Sequence, residues 1–153
     1  MLSKKTKYGL KALFALARMY NRGPVLIADL AEAEKIPKKF LEYILLTLRN
    51  GEILASRKGK GGGYYLAREP RQITIAAAVK VLEGSVAPVA CLDNTPAAVC
   101  EECVKLATCG IRLAMKDAWD AMSAVMEKTT LADVLDRIDL AEENEKELFN
   151  FVI

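Results

Sequence analysis

The chain has 153 residues, 52% hydrophobic and 7% aromatic, with a net charge of +2, which suits one small helical domain with an accessory element and disfavours an all-β sandwich. It contains no histidine, which removes Ser-His-Asp and Cys-His catalysis and every histidine-based metal site, so nothing points to an enzyme. The charge is segregated: residues 1–82 hold 16 Lys and Arg against 6 Asp and Glu, whereas residues 83–153 hold 6 against 14, as expected if one end meets phosphate.

Lys4, Lys5 and Lys7 precede the apolar stretch Leu10–Tyr20 and imitate a signal peptide, but Lys11 and Arg18 interrupt it and no small-residue cleavage site follows. No apolar run approaches ~18 residues, so a cytoplasmic protein without a membrane span is expected. Tyr8, Leu10, Ala12, Leu13, Leu16, Ala17 and Tyr20 predict a helix over 4–21, ended by Gly23-Pro24. A short second helix follows over 27–33, with Ile27, Leu30 and Ala31 inward. Pro37 suits the first turn of a third helix, which turns Leu41, Ile44, Leu45 and Leu48 inward and stops at Asn50-Gly51. Two extended runs, Ile53–Ser56 and Tyr64–Ala67, flank Arg57-Lys58-Gly59-Lys60-Gly61-Gly62-Gly63, a β-hairpin with a basic, flexible tip. A helix over 75–82 is closed by Gly84. Residues 85–109 hold Pro88, Pro96 and all four cysteines without periodicity, a loop that needs something other than a core to order it.

A long helix follows over 111–128. Ile111, Met115, Ala118, Met122 and Val125 are spaced 4, 3, 4, 3, an a/d stripe. Such a stripe can pack on the protein's own core, but Ala114, Ala121 and Ala124 permit close approach of a second helix, and dimerisation is the favoured reading. Thr129-Thr130 cap a last helix over 131–138, and the acidic tail Glu142–Glu147 is expected to finish as a frayed helix.

Three helices followed by a basic hairpin is the layout of a winged helix-turn-helix. The fold class is therefore mainly α with a small β-hairpin: a winged helix-turn-helix DNA-binding domain over 1–84, a cysteine-containing sensor loop over 85–109, and a long C-terminal dimerisation helix with an acidic tail over 110–153. The third helix enters the major groove with its N-terminal residues. Lys38 and Lys39 suit phosphate or a guanine edge, Phe40 a thymine methyl, and Glu42 a cytosine amine or a neighbouring lysine. Phe40 has core packing as an even alternative; for Tyr43 core packing is favoured. At the hairpin tip Arg57, Lys58 and Lys60 supply counterion release while glycines let the backbone near the minor groove. A phosphate-cradling P-loop is excluded, because no Gly-Lys-Ser/Thr follows and no helix opens after the glycines. Lys4, Lys5 and Lys7 either add phosphate contacts or form a solvated face.

Ile36-Pro37-Lys38-Lys39-Phe40-Leu41-Glu42, Leu48-Arg49-Asn50-Gly51 and Gly61-Gly62-Gly63-Tyr64-Tyr65-Leu66 resemble the bacterial regulators typified by the iron–sulfur cluster regulator. The nitric-oxide-sensing and cysteine-metabolism repressors belong to that family too. The resemblance covers nearly the whole chain, including Thr129-Thr130-Leu131-Ala132. It implies a homodimer on double-stranded DNA with an inverted-repeat operator, a long dimerisation helix and, in many members, a cluster held by cysteines in the loop before it. Lys38, Lys39, Phe40 and Glu42 fall on the family's base-reading segment, and Lys58 on an arginine of the wing. Well-known cluster-binding members use three cysteines and one other ligand, a histidine or an acid. Here those positions hold Arg112, which cannot ligate iron, and Lys7-Tyr8.

Cys91, Cys100, Cys103 and Cys109 follow a C-x8-C-x2-C-x5-C pattern. Four thiolates are what a cluster needs, so the fourth cysteine replaces the missing ligand, and either a [2Fe-2S] or a [4Fe-4S] centre suits them. Exposure to air can leave the loop without it. Zinc, thiol oxidation without metal, and no function for the thiols remain open; Cys100-x2-Cys103 is a zinc half-site whose spacing the second pair does not repeat. Arg112, one turn into the long helix, suits a thiolate-rich site. The alternative function is a non-DNA-binding iron–sulfur or zinc-handling redox protein, which would have no use for the basic wing.

Overall fold

A computed structural model describes residues 2–93 and 100–151, the last four by backbone only. It is mainly α with one two-stranded antiparallel hairpin. Helix α1 spans Lys4–Arg18, capped by Ser3, whose Oγ accepts the Thr6 amide at 3.2 Å. It stops short of residue 21 because the chain turns at Met19–Tyr20 and Asn21 takes a left-handed conformation (φ 62°). Helix α2 (Ile27–Glu34) ends on Lys35 in the left-handed region, and Pro37 stands at the N-cap of α3 (Lys38–Asn50). The inward stripe of α3 is Leu41, Ile44, Leu45 and Leu48, all fully buried.

Strand β1 (Leu54–Arg57) pairs with β2 (Gly63–Leu66), Leu54 opposite Leu66 and Arg57 opposite Gly63. Both strands lie one residue from their predicted spans. The sequence gives no sign of a further bridge: Val25 and Tyr64 exchange two backbone hydrogen bonds of 2.9 Å, which ties the hairpin to the entry of α2. Only glycine fits opposite that bridge. Gly63 has φ +143°, and a Cβ there would lie 2.2 Å from the Val25 carbonyl oxygen.

Helix α4 (Ile75–Glu83) begins at Thr74, which accepts the Ala77 amide at 3.1 Å, and is closed by Gly84. It packs against α1 at Gly9, where an added Cβ would meet the Leu82 side chain at 2.5 Å. The core lies among α1, α3 and α4, with Ile53, Leu54, Leu66 and Ile73 closing it from the hairpin side. Leu131, fully buried, joins this core from beyond the long helix α5 (Gly110–Lys128). The joint is backbone to backbone: the Ile75 amide donates to Thr129 O at 2.8 Å and the Leu131 amide to Ile73 O at 2.9 Å.

Helix α6 (Leu131–Phe151) starts with a reciprocal cap, Thr130 N–H to Asp133 Oδ2 at 2.8 Å and Asp133 N–H to Thr130 Oγ1 at 3.1 Å. It is one continuous helix rather than a short one with a frayed tail. No Gly or Pro interrupts the acidic stretch, and Arg18 of α1 reaches Asp139 at 3.0 Å and Glu142 at 3.4 Å. Among the described residues no helix is long and apolar enough to cross a membrane.

Candidate nucleic-acid interface and cysteine loop

A groove of about 450 Å³ runs between α3 and the hairpin. Lys38, Glu42 and Arg49 line it from α3, Arg57 and Lys58 from the wing, and the first residues of α2 complete it. Lys39 and Lys60 are exposed but lie outside this lining. Arg49 escaped the sequence reading. Its signal was available, since it stands seven residues after Glu42 and eleven after Lys38, nearly whole numbers of helical turns.

The two aromatic residues of α3 part ways. Phe40 is half-buried, its ring edge-on to Tyr8 of α1 with 5.8 Å between centroids, so most of its surface serves packing. Tyr43 is not a core residue: it is 56% exposed, with the Lys5 ammonium 5.3 Å from its ring centroid. At about 100° per residue, position 43 falls off the stripe formed by 41, 44, 45 and 48.

The cysteine loop is pinned at its start. A short helical turn over Ala90–Leu92 buries Leu92, whose carbonyl accepts the Trp119 indole N–H from α5 at 3.0 Å. A second turn joins Cys103 N–H to Cys100 O at 3.0 Å. A third, Leu106–Thr108, delivers Cys109 to the N-cap of α5, where its carbonyl accepts the Leu113 amide at 3.0 Å. The segment holding Pro96 lies outside the described residues.

All four thiols are free and half-buried. Burial pushes the Cys91 thiol above its ordinary value, the charge and hydrogen bond of neighbouring Cys100 and the charge of Cys109 add to this, and Arg112 opposes them. Three thiols and one guanidinium thus share a neighbourhood, with Cys103 attached through its turn. Among the described residues no three Cys, His, Asp or Glu side chains stand at the spacing of a formed metal site. The donor set is soft and all-sulfur, which suits iron–sulfur clusters and zinc. The Arg112 Nε is buried and has no hydrogen-bond partner among the described residues.

Helix α5 buries none of its residues in the chain's own core. Ile111 (65% exposed), Met115 (38%), Met122 (46%) and Val125 (61%) leave the apolar stripe open, and Ala118 within it is exposed too. This exposed row is larger than scattered surface leucines would explain.

The family described as Rrf2, iron-dependent transcriptional regulator, matches residues 2–137. An rrf2-like HTH-type transcriptional regulator of Rhodobacter capsulatus is 36% identical over 138 residues, covering 88% of this chain and 92% of that protein. The structure of CymR, the global cysteine regulator of B. subtilis, superimposes with a TM-score of 0.74 at 31% identity, over 90% of this chain and 97% of that one. T. potens IscR does so with a TM-score of 0.71 at 30% identity, over 92% and 90%.

Proposed function

The chain belongs to the Rrf2 family of transcriptional regulators, and on that premise we propose that it acts as a homodimer gripping an inverted-repeat operator under control of its cysteine loop. Rrf2 proteins regulate transcription through DNA and are not enzymes. In this reading Lys38 and Lys39 at the start of α3 and Arg57, Lys58 and Lys60 on the wing contact the DNA backbone. Glu42 faces base edges beside Lys38, and Phe40 offers a ring edge to a thymine methyl. Lysine at position 58 binds phosphate as a point charge and reads a narrow minor groove less well than arginine. The observation that carries this reading is the groove in which α3 and the wing present Lys38, Glu42, Arg57 and Lys58 together.

The open stripe of α5 supports pairing, with Ile111, Met115, Ala118, Met122 and Val125 meeting the same row of a second copy. Cys91, Cys100, Cys103 and Cys109 are the residues that would hold an iron–sulfur centre. The iron-dependence in the family's description favours iron over zinc. Bound there, such a centre supplies a redox-sensitive link across the loop that connects α4 to α5.

Titration of a labelled duplex pool at two salt concentrations tests the DNA reading. Sequence-selective, salt-sensitive binding is expected, and K38A and K58A should each weaken it about tenfold while lowering the salt slope by about one. Binding that ignores salt and both substitutions defeats the interface. Anaerobic reconstitution followed by iron and zinc assays addresses the loop separately. Colourless, iron-free protein would remove the cluster and leave DNA binding standing.

A further inference from the structure

Four thiolates around either iron–sulfur core in its oxidised state, or around a divalent ion, leave the site with two net negative charges. Such charge in a half-buried loop requires a nearby cation and hydrogen-bond donors to the sulfurs. The described neighbourhood offers few. Asp93, Glu101 and Glu102 are acidic, Lys105 is exposed, and Lys116 is engaged with Asp120. Arg112 differs from all of these. It stands three residues after Cys109, so one turn of α5 returns it to that cysteine's side of the helix. Its Nε is buried without an acceptor among the described residues, an arrangement that costs stability unless an anion completes it.

We propose that Arg112 is the positioning residue of the cysteine site, its fixed positive charge and buried Nε–H directed at the thiolates that hold the metal centre. The inference rests on the reading that these cysteines hold such a centre. It adds a role that metal ligation cannot provide: the guanidinium stays charged at all relevant pH values and stabilises each further negative charge the site takes on. Reduction of a cluster by one electron adds such a charge, so Arg112 raises the site's reduction potential.

The test uses full-length protein reconstituted anaerobically as wild type, R112K and R112Q. Iron content and the midpoint potential from a dye-equilibrated titration are read for each. R112Q should fall by about 59 mV, a tenfold change in the one-electron equilibrium. R112K, which keeps the charge but loses the fork, should lie between R112Q and wild type. Equal potentials in R112Q and wild type at equal iron content overturn the proposal. Where any of the three holds no iron, Cd2+ decides, followed through its sulfur-to-metal absorption band. R112Q should then bind Cd2+ about tenfold more weakly than wild type, and equal affinity overturns the proposal. Failure of the wild type to take up iron overturns the iron–sulfur reading alone, because the cadmium comparison still tests Arg112.

Discussion

Glu83 closes the end of α4 onto the beginning of α1. Ser3 Oγ donates to its Oε2 at 2.6 Å and the buried Thr6 hydroxyl donates to the same oxygen. These two hydrogen bonds, Ser3 first, hold its carboxyl below the ordinary value of 4.5. A depressed folded value means that the contribution is complete above the unfolded value and is lost as pH falls through the folded one. E83Q should lower the thermal midpoint by a few degrees at neutral pH, and the gap to wild type should narrow below about pH 4.5. Melting curves across pH 3–7 check this, and parallel acid limbs would contradict it. The contact was not legible in the sequence, because 80 residues separate Ser3 from Glu83 and neither belongs to a motif. That Lys38, Glu42 and Lys58 would fall on a helix start and a glycine-rich hairpin was legible, since both are local signals, and the structure lines one groove with them. Tyr43 was misjudged because an aromatic residue beside Ile44 suggests a core that the helical angle does not allow.

At the level of elements, periodicity found each α-helix among the described residues but not the short helical turns at Pro70–Gln72, Ala90–Leu92 and Leu106–Thr108, which are too brief to carry a period. The hairpin strands shifted by a residue because Gly63, read as part of the flexible tip, is locked instead into the sheet beside Val25. That gives the wing a second attachment besides its own turn. G63A would place a methyl group against the Val25 carbonyl in a backbone region that alanine avoids. The expected cost is about 1–3 kcal/mol, read as a lower urea midpoint. Weaker duplex binding with a lower salt slope should accompany it, because misplaced wing cations neutralise fewer phosphates. The length of α6 was hidden for a different reason. Its acidic run reads as a frayed end from the sequence, and the pairing of Arg18 with Asp139 and Glu142, long-range in the chain, ties the helix to α1 beyond residue 138.

For the whole molecule, two surfaces stand apart: a cationic groove at one end and the open apolar row of α5. The first matches the charge segregation of the sequence, and the second matches its 4, 3, 4, 3 spacing. Burying a Met or Val side chain contributes about 1.5–3 kcal/mol, so a charge placed there should be decisive. M122E combined with V125E is expected to yield a monomer by sedimentation, with an unchanged helical circular dichroism spectrum. Operator affinity should fall at least tenfold, because each half-site is then bound separately. A double variant that still sediments as a dimer would exclude this face.

The backbone bonds between Ile73–Ile75 and Thr129–Leu131 carry a mechanical consequence. They make the carboxyl end of α5 a fulcrum, set in the same core that carries α3. The other end, about 28 Å away over 19 residues, is attached to that core through the cysteine loop. Trp119, midway along the helix, adds a tie to Leu92 at the start of that loop. On the proposed function, the cysteines thus stand at the end of α5 farthest from that fulcrum, where a change in the loop would displace the helix most in each subunit of the dimer.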